Sequence, residues 1–261
     1  MPSLENFTVV VTGAAGGLGK AIATAFLSSG ANAAICDVSP ERLASTSSEW
    51  ESSHAGRFLA SQTDITDEAA VTSFFAAVVD KFGKVDMLVN NAGIMDAFDP
   101  VGETERAMWD RVLAVNLTGS FLATKAAVNV MLSRGGGTII NIGSVASYRG
   151  GAAGAAYTAS KHAVAGLSKN TAGFYGPKGI SSIVLYIGGM EETNIAASFQ
   201  VNPPNTEAMA RMKELTPGYV AGETSVKIAD VAKYCVFFAD RDIAATSNGA
   251  EITVNKNWPA A

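Results

Sequence analysis

An α/β fold is predicted: a doubly wound parallel sheet of about seven strands with helices on both faces. Two observations carry this. Short apolar runs alternate with longer helical patterns along the chain, which is the signature of βαβ units. The strand runs are apolar throughout rather than alternately polar, as expected of parallel strands covered on both sides. A length of 261 residues suits one large core, so the whole of 1–261 is expected to be a single domain.

The elements follow in order. Phe7 to Thr12 is β-branched and ends at Gly13, a buried strand. Leu18 to Leu27 carries Ile22, Ala23, Phe26 and Leu27 at helical spacing. Ala33 to Asp37 is the second strand, after which Ser39 and Pro40 supply the cap and first position of a helix. Phe58 to Ala60 is a short third strand. Thr66 to Phe82 is a helix whose Asp67 and Glu68 suit its positive end. Met87 to Asn90 is the fourth strand, Glu103 to Leu132 one long helical stretch, and Thr138 to Ile142 the fifth strand. Tyr157 to Tyr175 is a helix stopped by Gly176-Pro177, followed by a strand from Ile180 to Ile187. A helix around Ile228 to Ala239 and a strand from Glu251 to Val254 close the pattern. Residues 190–225 hold Pro203-Pro204 and Pro217-Gly218 and are irregular, which suits a substrate-binding lid.

Composition excludes several classes. Hydrophobic residues make up 48% and charged residues 16%, too apolar for a disordered chain. The net charge of −5, with no basic stripe, argues against a nucleic-acid partner. The mean hydropathy of +0.20 reflects Ala and Gly; without a run of roughly 18 apolar residues, no membrane span is expected. Met1 to Phe7 lacks a basic region followed by an apolar stretch, so no secretory signal is expected. Cys36 and Cys235 are far apart, have no metal-ligand spacing and fit a reducing compartment as buried apolar residues. A cytoplasmic location and no metal are therefore expected.

Thr12-Gly-Ala-Ala-Gly-Gly-Leu-Gly19 lies between the first strand and the first helix. Gly13, Gly17 and Gly19 allow a sharp turn and close approach of a ligand, and the helix start offers free N–H groups to a pyrophosphate. An ordinary βα turn is the plainer account. Asp37 ends the next strand 18 residues after Gly19, where a carboxylate can accept from a ribose diol and repel a 2′-phosphate. NAD is therefore expected in preference to NADP, with nearby Arg42 partly offsetting the repulsion; Asp37 as a strand-end turn residue is the alternative.

The spacing Thr-Gly-xxx-Gly-x-Gly in a chain of this length resembles the short-chain dehydrogenase/reductase family, whose fold is Rossmann-like. Later motifs match in order. Tyr157-Thr-Ala-Ser-Lys161 puts Tyr and Lys one helical turn apart. A Tyr hydroxyl titrates at about 10, and a neighbouring ammonium favours its phenolate. The tyrosine can then exchange a proton with an alcohol or ketone while hydride moves to or from a nicotinamide. Ser144, just past the fifth strand, can hold the substrate oxygen. Ser147 rivals it on residue type, and the resemblance selects Ser144.

The resemblance further implies the fourth catalytic member, Asn116, holding a water that relays protons through Lys161. A buried Asn bonded to a carbonyl is the plainer account. Asn90-Asn-Ala-Gly93 would support the sheet centre and line the adenosine ribose, mainly through Asn91 with Gly93. Asp64 and the Ile65 backbone would meet the adenine, unless Asp64 and Thr66 simply cap the next helix. Leu18 joins the cofactor-binding turn, and Thr193 would bind the nicotinamide amide. Two departures stand out. Tyr186-Ile-Gly-Gly-Met-Glu-Glu-Thr193 lacks the family's Pro and brings Glu191 and Glu192 close to the nicotinamide, and Val254 to Trp258 lacks Asp-Gly-Gly.

The expected activity is NAD(H)-dependent interconversion of a secondary alcohol and a ketone. Phe98, Tyr148, Tyr186, Met190, Ile195 and Phe199 are candidate lining residues, suggesting a hydrophobic substrate: cyclic, terpenoid or polyketide-like. The rival readings are an acyl-carrier-type 3-oxoacyl ketoreductase and a non-catalytic dinucleotide-binding sensor or scaffold. The resemblance also implies a homotetramer or homodimer.

Overall fold

The computed structural model describes residues 3–195, 198–201 and 203–259. Its centre is a seven-stranded, all-parallel sheet: β1 (Thr8–Thr12), β2 (Asn32–Asp37), β3 (Phe58–Gln62), β4 (Met87–Asn90), β5 (Gly137–Ser144), β6 (Ile180–Ile187) and β7 (Glu251–Val254). Their spatial order is β3-β2-β1-β4-β5-β6-β7. The chain builds outward from β1 to β3, then returns to place β4 on the other side of β1. Val10 thus pairs with Ala34 on one side and Leu88 on the other. The point of reversal lies between β1 and β4, and ligands of open α/β sheets bind beyond the strand ends there.

Successive strand residues face opposite layers. Val9, Val11, Met87, Val89, Ile140, Ile183 and Leu185 pack against α1 (Gly17–Ser28), α2 (Pro40–His54) and α9 (Ile228–Phe237). Val10, Leu88 and Ile139 pack on the other face against α3 (Glu68–Phe82) and α5 (Ser120–Leu132). Beside them, α6 (Ala155–Tyr175) covers β6 through Ala165, Val184 and Tyr186. Phe26 in α1 is fully buried; its truncation to Ala would cost about 3–5 kcal/mol. Cys36 and Cys235 are buried thiols, both pushed up to about 12 by desolvation.

Helix boundaries follow local chemistry. Ser39 caps α2 by accepting from the Arg42 N–H, with Pro40 at its first position. Asp67 is the cap of α3 rather than a first-turn residue, accepting from Ala69 and Ala70. Gly83, at φ 78°, closes that helix in the left-handed region.

Three differences from the sequence reading have physical causes. The stretch 103–132 is not one helix: α4 (Arg106–Leu113) and α5 are separated by a π-helical turn over Ala114–Gly119. That turn contains Asn116, and such turns gather at functional sites. The segment 190–225 holds α7 (Ser198–Val201) and α8 (Thr206–Leu215). The latter buries no side chain and so leaves little apolar periodicity to read. A short α10 (Arg241–Thr246), capped by Asp240, precedes β7. Among the described residues no helix is long and apolar enough to cross a membrane. Residues 196, 197 and 202 of the expected lid lie outside the described set.

Candidate active site

The glycine turn follows β1 and faces the loop after β4 across the point of reversal. Gly13 adopts φ 62° and Gly17 φ 52°, conformations that L side chains resist. A Cβ on Gly13 would lie 2.7 Å from the Ala92 Cα, and one on Gly19 would lie 2.6 Å from both Asn91 Nδ2 and the Gly13 carbonyl. The N-cap of α1, Gly16, has no side-chain cap, so the helix start keeps free N–H groups for an anion. Leu18 points into the core.

Asp37 is buried at the end of β2. One oxygen accepts the Ala15 N–H at 3.2 Å; the other accepts from Ser39 N–H at 3.1 Å and from the Arg42 guanidinium at 3.0 Å. The acid thus braces the glycine turn while it is paired with the nearest cation. Asn91 donates its amide to the carbonyls of Thr12 and Gly13 at 2.9 and 3.0 Å, tying β4 to the turn. Asp64 is exposed above β3 and accepts from the Thr66 N–H and hydroxyl, a local turn. Ile65 is buried against Gly119 of the π turn.

The opposite wall is built from β5 and α6. Ser144 and Tyr157 share a side-chain hydrogen bond, and Ser144 Oγ also accepts the Ala146 N–H at 3.1 Å. Ser147 turns back instead, accepting the Ser144 N–H at 3.2 Å, so of the two serines it is Ser144 that meets the tyrosine. Lys161 Nζ donates to the Ile142 carbonyl at 2.8 Å and lies 5.6 Å from the centre of the Tyr157 ring. Both side chains are buried. Desolvation pushes the Tyr157 hydroxyl up to about 12, opposed by the Ser144 bond and reinforced by the charge of Asp96. Desolvation draws Lys161 down to about 8. In the protein alone burial therefore outweighs the Ser144 contribution, and Tyr157 is held protonated.

Asn116 is buried, and its side chain is fully engaged. Its Oδ1 accepts the Ile94 N–H at 2.8 Å; its Nδ2 donates to the Ile94 carbonyl and the Ser160 hydroxyl, each at 3.0 Å. It clamps the loop after β4 to α6. Gly93 lies between these groups: a Cβ there would be 3.3 Å from Asn116 Oδ1 and 3.6 Å from Lys161 Nζ. His162 is exposed and bonds the Thr158 carbonyl.

After β6, Gly188 donates its N–H to the Val254 carbonyl at 3.0 Å, a bond that a proline there could not make. Thr193 and Asn194 lie over the glycine turn: a Cβ on Gly17 would be 3.3 Å from the Thr193 Cα, and one on Gly16 would meet the Asn194 amide. Glu191 and Glu192 face the following segment. Glu191 accepts from Gly222 N–H at 2.7 Å and the Tyr219 hydroxyl at 3.1 Å, and the Gly222 bond holds its carboxyl below the usual range. Glu192 accepts from Ile228 N–H at 3.3 Å.

The candidate lining residues separate. Ile195 packs into the apolar cluster of Ala97, Met108 and Tyr157, with Ile94 and Met95 alongside. The Phe98 and Phe199 rings pack in a tilted pair with centroids 5.6 Å apart. Met190 joins the core on the α1 face. Tyr186 packs against Tyr148 in a tilted ring pair and donates to Glu251 at 2.5 Å. Glu251 also pairs with Lys169, twelve residues along α6 from Tyr157, so the Tyr186 hydroxyl points away from the site.

Asp96 escaped the sequence reading. It is buried, and burial raises its carboxyl above the usual range against three N–H donors: Phe98, Gly154 and Tyr157. Only its position after Asn90-Asn-Ala-Gly93 could have marked it. Asn194 was also missed, lying beside Thr193 with no motif of its own.

The residues fit a dinucleotide: the glycine turn offers a cradle that side chains would fill, at an uncapped helix start. A doubly wound sheet with this cradle on one side and a buried Ser–Tyr–Lys corner on the other defines a nucleotide-dependent oxidoreductase. The comparisons agree. The profile described as short chain dehydrogenase matches residues 7–203, and the chain belongs to that family, whose members typically bind a nicotinamide dinucleotide.

A short chain dehydrogenase/reductase, dpchG, of Colletotrichum higginsianum is 45% identical over 98% of this chain and 94% of that protein. A 3beta-hydroxysteroid dehydrogenase 2 of Eggerthella lenta is 35% identical over 99% and 97%. The crystal structure of levodione reductase superimposes with a TM-score of 0.85 at 28% identity, covering 98% of this chain and 99% of that one.

Proposed function

We propose that this chain is an NAD(H)-dependent oxidoreductase interconverting a secondary alcohol and a ketone on a hydrophobic, ring-bearing substrate. The observation that carries this reading is the buried Ser144–Tyr157–Lys161 corner, set at the point of strand reversal across from the uncapped start of α1. Gly13, Gly17, Leu18 and Gly19 hold the pyrophosphate on backbone N–H groups, and Thr193, beside Gly17, binds the nicotinamide amide. Asp37 takes the adenosine ribose, beside Asn91 and Gly93; Asp64 and Ile65 flank the adenine. A bound dinucleotide supplies the hydride acceptor or donor.

Tyr157 transfers the proton. Held protonated, with its hydroxyl at about 12, it is set to donate to a ketone oxygen. Ser144 holds that oxygen beside it. Lys161, cationic at pH 7 with its amine at about 8, stabilises the phenolate left behind and binds the nicotinamide ribose. Asn116 keeps the loop after β4 against α6 and so keeps Lys161 in reach of solvent protons. NAD is preferred because a 2′-phosphate would have to displace Asp37 from Arg42.

The lid, 190–225, closes the substrate pocket. Ile94, Met95 and Ile195 form an apolar wall beside Tyr157, which suits a hydrocarbon ring. The similarity to a hydroxysteroid dehydrogenase points to the same class. The test is the change in absorbance at 340 nm with a panel of cyclic and acyclic secondary alcohols and ketones, each with NAD(H) and NADP(H). Turnover of cyclic substrates, faster with NAD(H), is expected. Dinucleotide binding without turnover across the panel would favour a sensor or scaffold instead.

A further inference from the structure

We propose that Asp96 is a positioning residue: its carboxylate anchors the first turn of α6 and so fixes where the Tyr157 hydroxyl stands relative to Ser144 and Lys161. This rests on the dehydrogenase reading above. A helix leaves its first N–H groups without intrahelical partners, and the N-cap of α6, Gly154, has no side chain to supply one. Asp96, some sixty residues earlier, does so. Its Oδ1 accepts the Gly154 N–H at 3.2 Å and its Oδ2 accepts the Tyr157 N–H at 2.8 Å. The Asp99 carbonyl takes the Ala155 N–H at 2.9 Å. An anion at this end also suits the helix dipole. The fit is close: a Cβ on Gly154 would lie 2.5 Å from Asp96 Oδ2.

The anchor is itself held. Asp96 Oδ1 accepts the Phe98 N–H at 3.1 Å, and Phe98 adopts φ 68°, a conformation that a bulky residue keeps only when its surroundings impose it. On the far side of the same strap, Met95 N–H donates to Ser198 Oγ at 3.2 Å and Asn205 N–H to the Ala97 carbonyl at 2.8 Å. The Phe98 ring packs on that of Phe199 in a tilted pair. Residues 95–99 therefore grip Ser198, Phe199 and Asn205 on one side and the tyrosine-bearing helix on the other. Covering the substrate and placing the proton donor are thus joined through one buried carboxylate.

Asp96→Asn tests this. An amide has one acceptor oxygen, so the N–H of Gly154 or of Tyr157 loses its partner. With the fastest secondary alcohol of the panel, kcat should fall about 10- to 100-fold, the scale of an ångström's misplacement. KM and the NAD dissociation constant should stay within about twofold. Hydrogen exchange with saturating NAD should quicken at amides 154–158 and not in the strands of the sheet. Gly154→Ala should reproduce the kcat loss by displacing the carboxylate, and should add nothing in an Asp96→Ala background.

Wild-type kcat in Asp96→Asn overturns the inference. So does unchanged exchange at 154–158, or a kcat loss matched by equal loss of NAD binding. If the wild type turns over nothing on the panel, the dehydrogenase reading fails; the exchange measurement then still decides whether Asp96 anchors the helix.

Discussion

The two walls of the site are built by opposite means. The glycine turn after β1 works by what is missing: side chains at 13 and 19 would collide with the loop after β4, and no side chain caps α1. The wall of β5 and α6 works by what is buried: a tyrosine and a lysine, with Asn116 of the π turn and Asp96 of the loop after β4 against them, each held by hydrogen bonds from distant parts of the chain. One wall presents backbone, as the proposed dinucleotide-binding turn requires. The other holds ionisable groups out of water, where their proton affinities move. A binding surface thus tolerates local construction, whereas a proton-transfer site needs partners from several strands.

The comparison can be broken most forcefully at Lys161. Replacing it with Met should lower turnover about a thousandfold, within the range of proton-transfer catalysis, and yet stabilise the protein at pH 7. The sign follows from its depressed proton affinity. Unfolded, the amine titrates at 10.5; folded, at about 8. Below pH 8 it is charged in both states and its burial cost is fully present, roughly 3 kcal/mol. As pH rises from 8 to 10.5 the folded protein sheds the proton first and stability rises. The melting temperature of Lys161→Met should therefore exceed that of the wild type by a few degrees at pH 7, with the gap narrowing by pH 10. An equal gap at both values would contradict this.

On the other wall, Asp37→Ser should free Arg42 for a phosphate. The ratio of kcat/KM for NADP to that for NAD should rise by about 10- to 100-fold. An unchanged ratio would remove Asp37 as the discriminating residue.

Gly13→Ala should cost about 1–3 kcal/mol of stability through its left-handed conformation and the contact with Ala92. Denaturant titration would read it. Dinucleotide affinity should fall with it, because the turn must shift.

The smallest effect is expected at Tyr186→Phe. This tyrosine donates to Glu251 rather than facing Tyr157, so kcat/KM should change by less than about twofold and stability by about 1 kcal/mol. A large loss of activity would bring Tyr186 into the site.

The contrast between the walls also explains what could be read from the residues alone. The glycine turn was legible because its spacing, its place between strand and helix, and Asp37 after the next strand are all local. Ser144, Tyr157 and Lys161 were legible through family resemblance, and the strands through their apolar runs. Asp96 was not, because its partners lie about sixty residues away and nothing near it in the chain demands a carboxylate. The break of the 103–132 stretch at Asn116 was not, because a π turn preserves helical periodicity on either side. Tyr186 was misplaced as a lining residue because a strand residue's face is set by register, and β6 turns it toward α6.

The central claim is that Tyr157 transfers the proton beside the dinucleotide, whose pyrophosphate and adenosine are held elsewhere, on the glycine turn and Asp37. It is tested most directly by Tyr157→Phe, with NAD binding and single-turnover hydride transfer measured on one preparation, using the fastest alcohol of the panel. The account predicts an NAD dissociation constant within about twofold of the wild type and hydride transfer slowed about a thousandfold. Hydride transfer at the wild-type rate would contradict it.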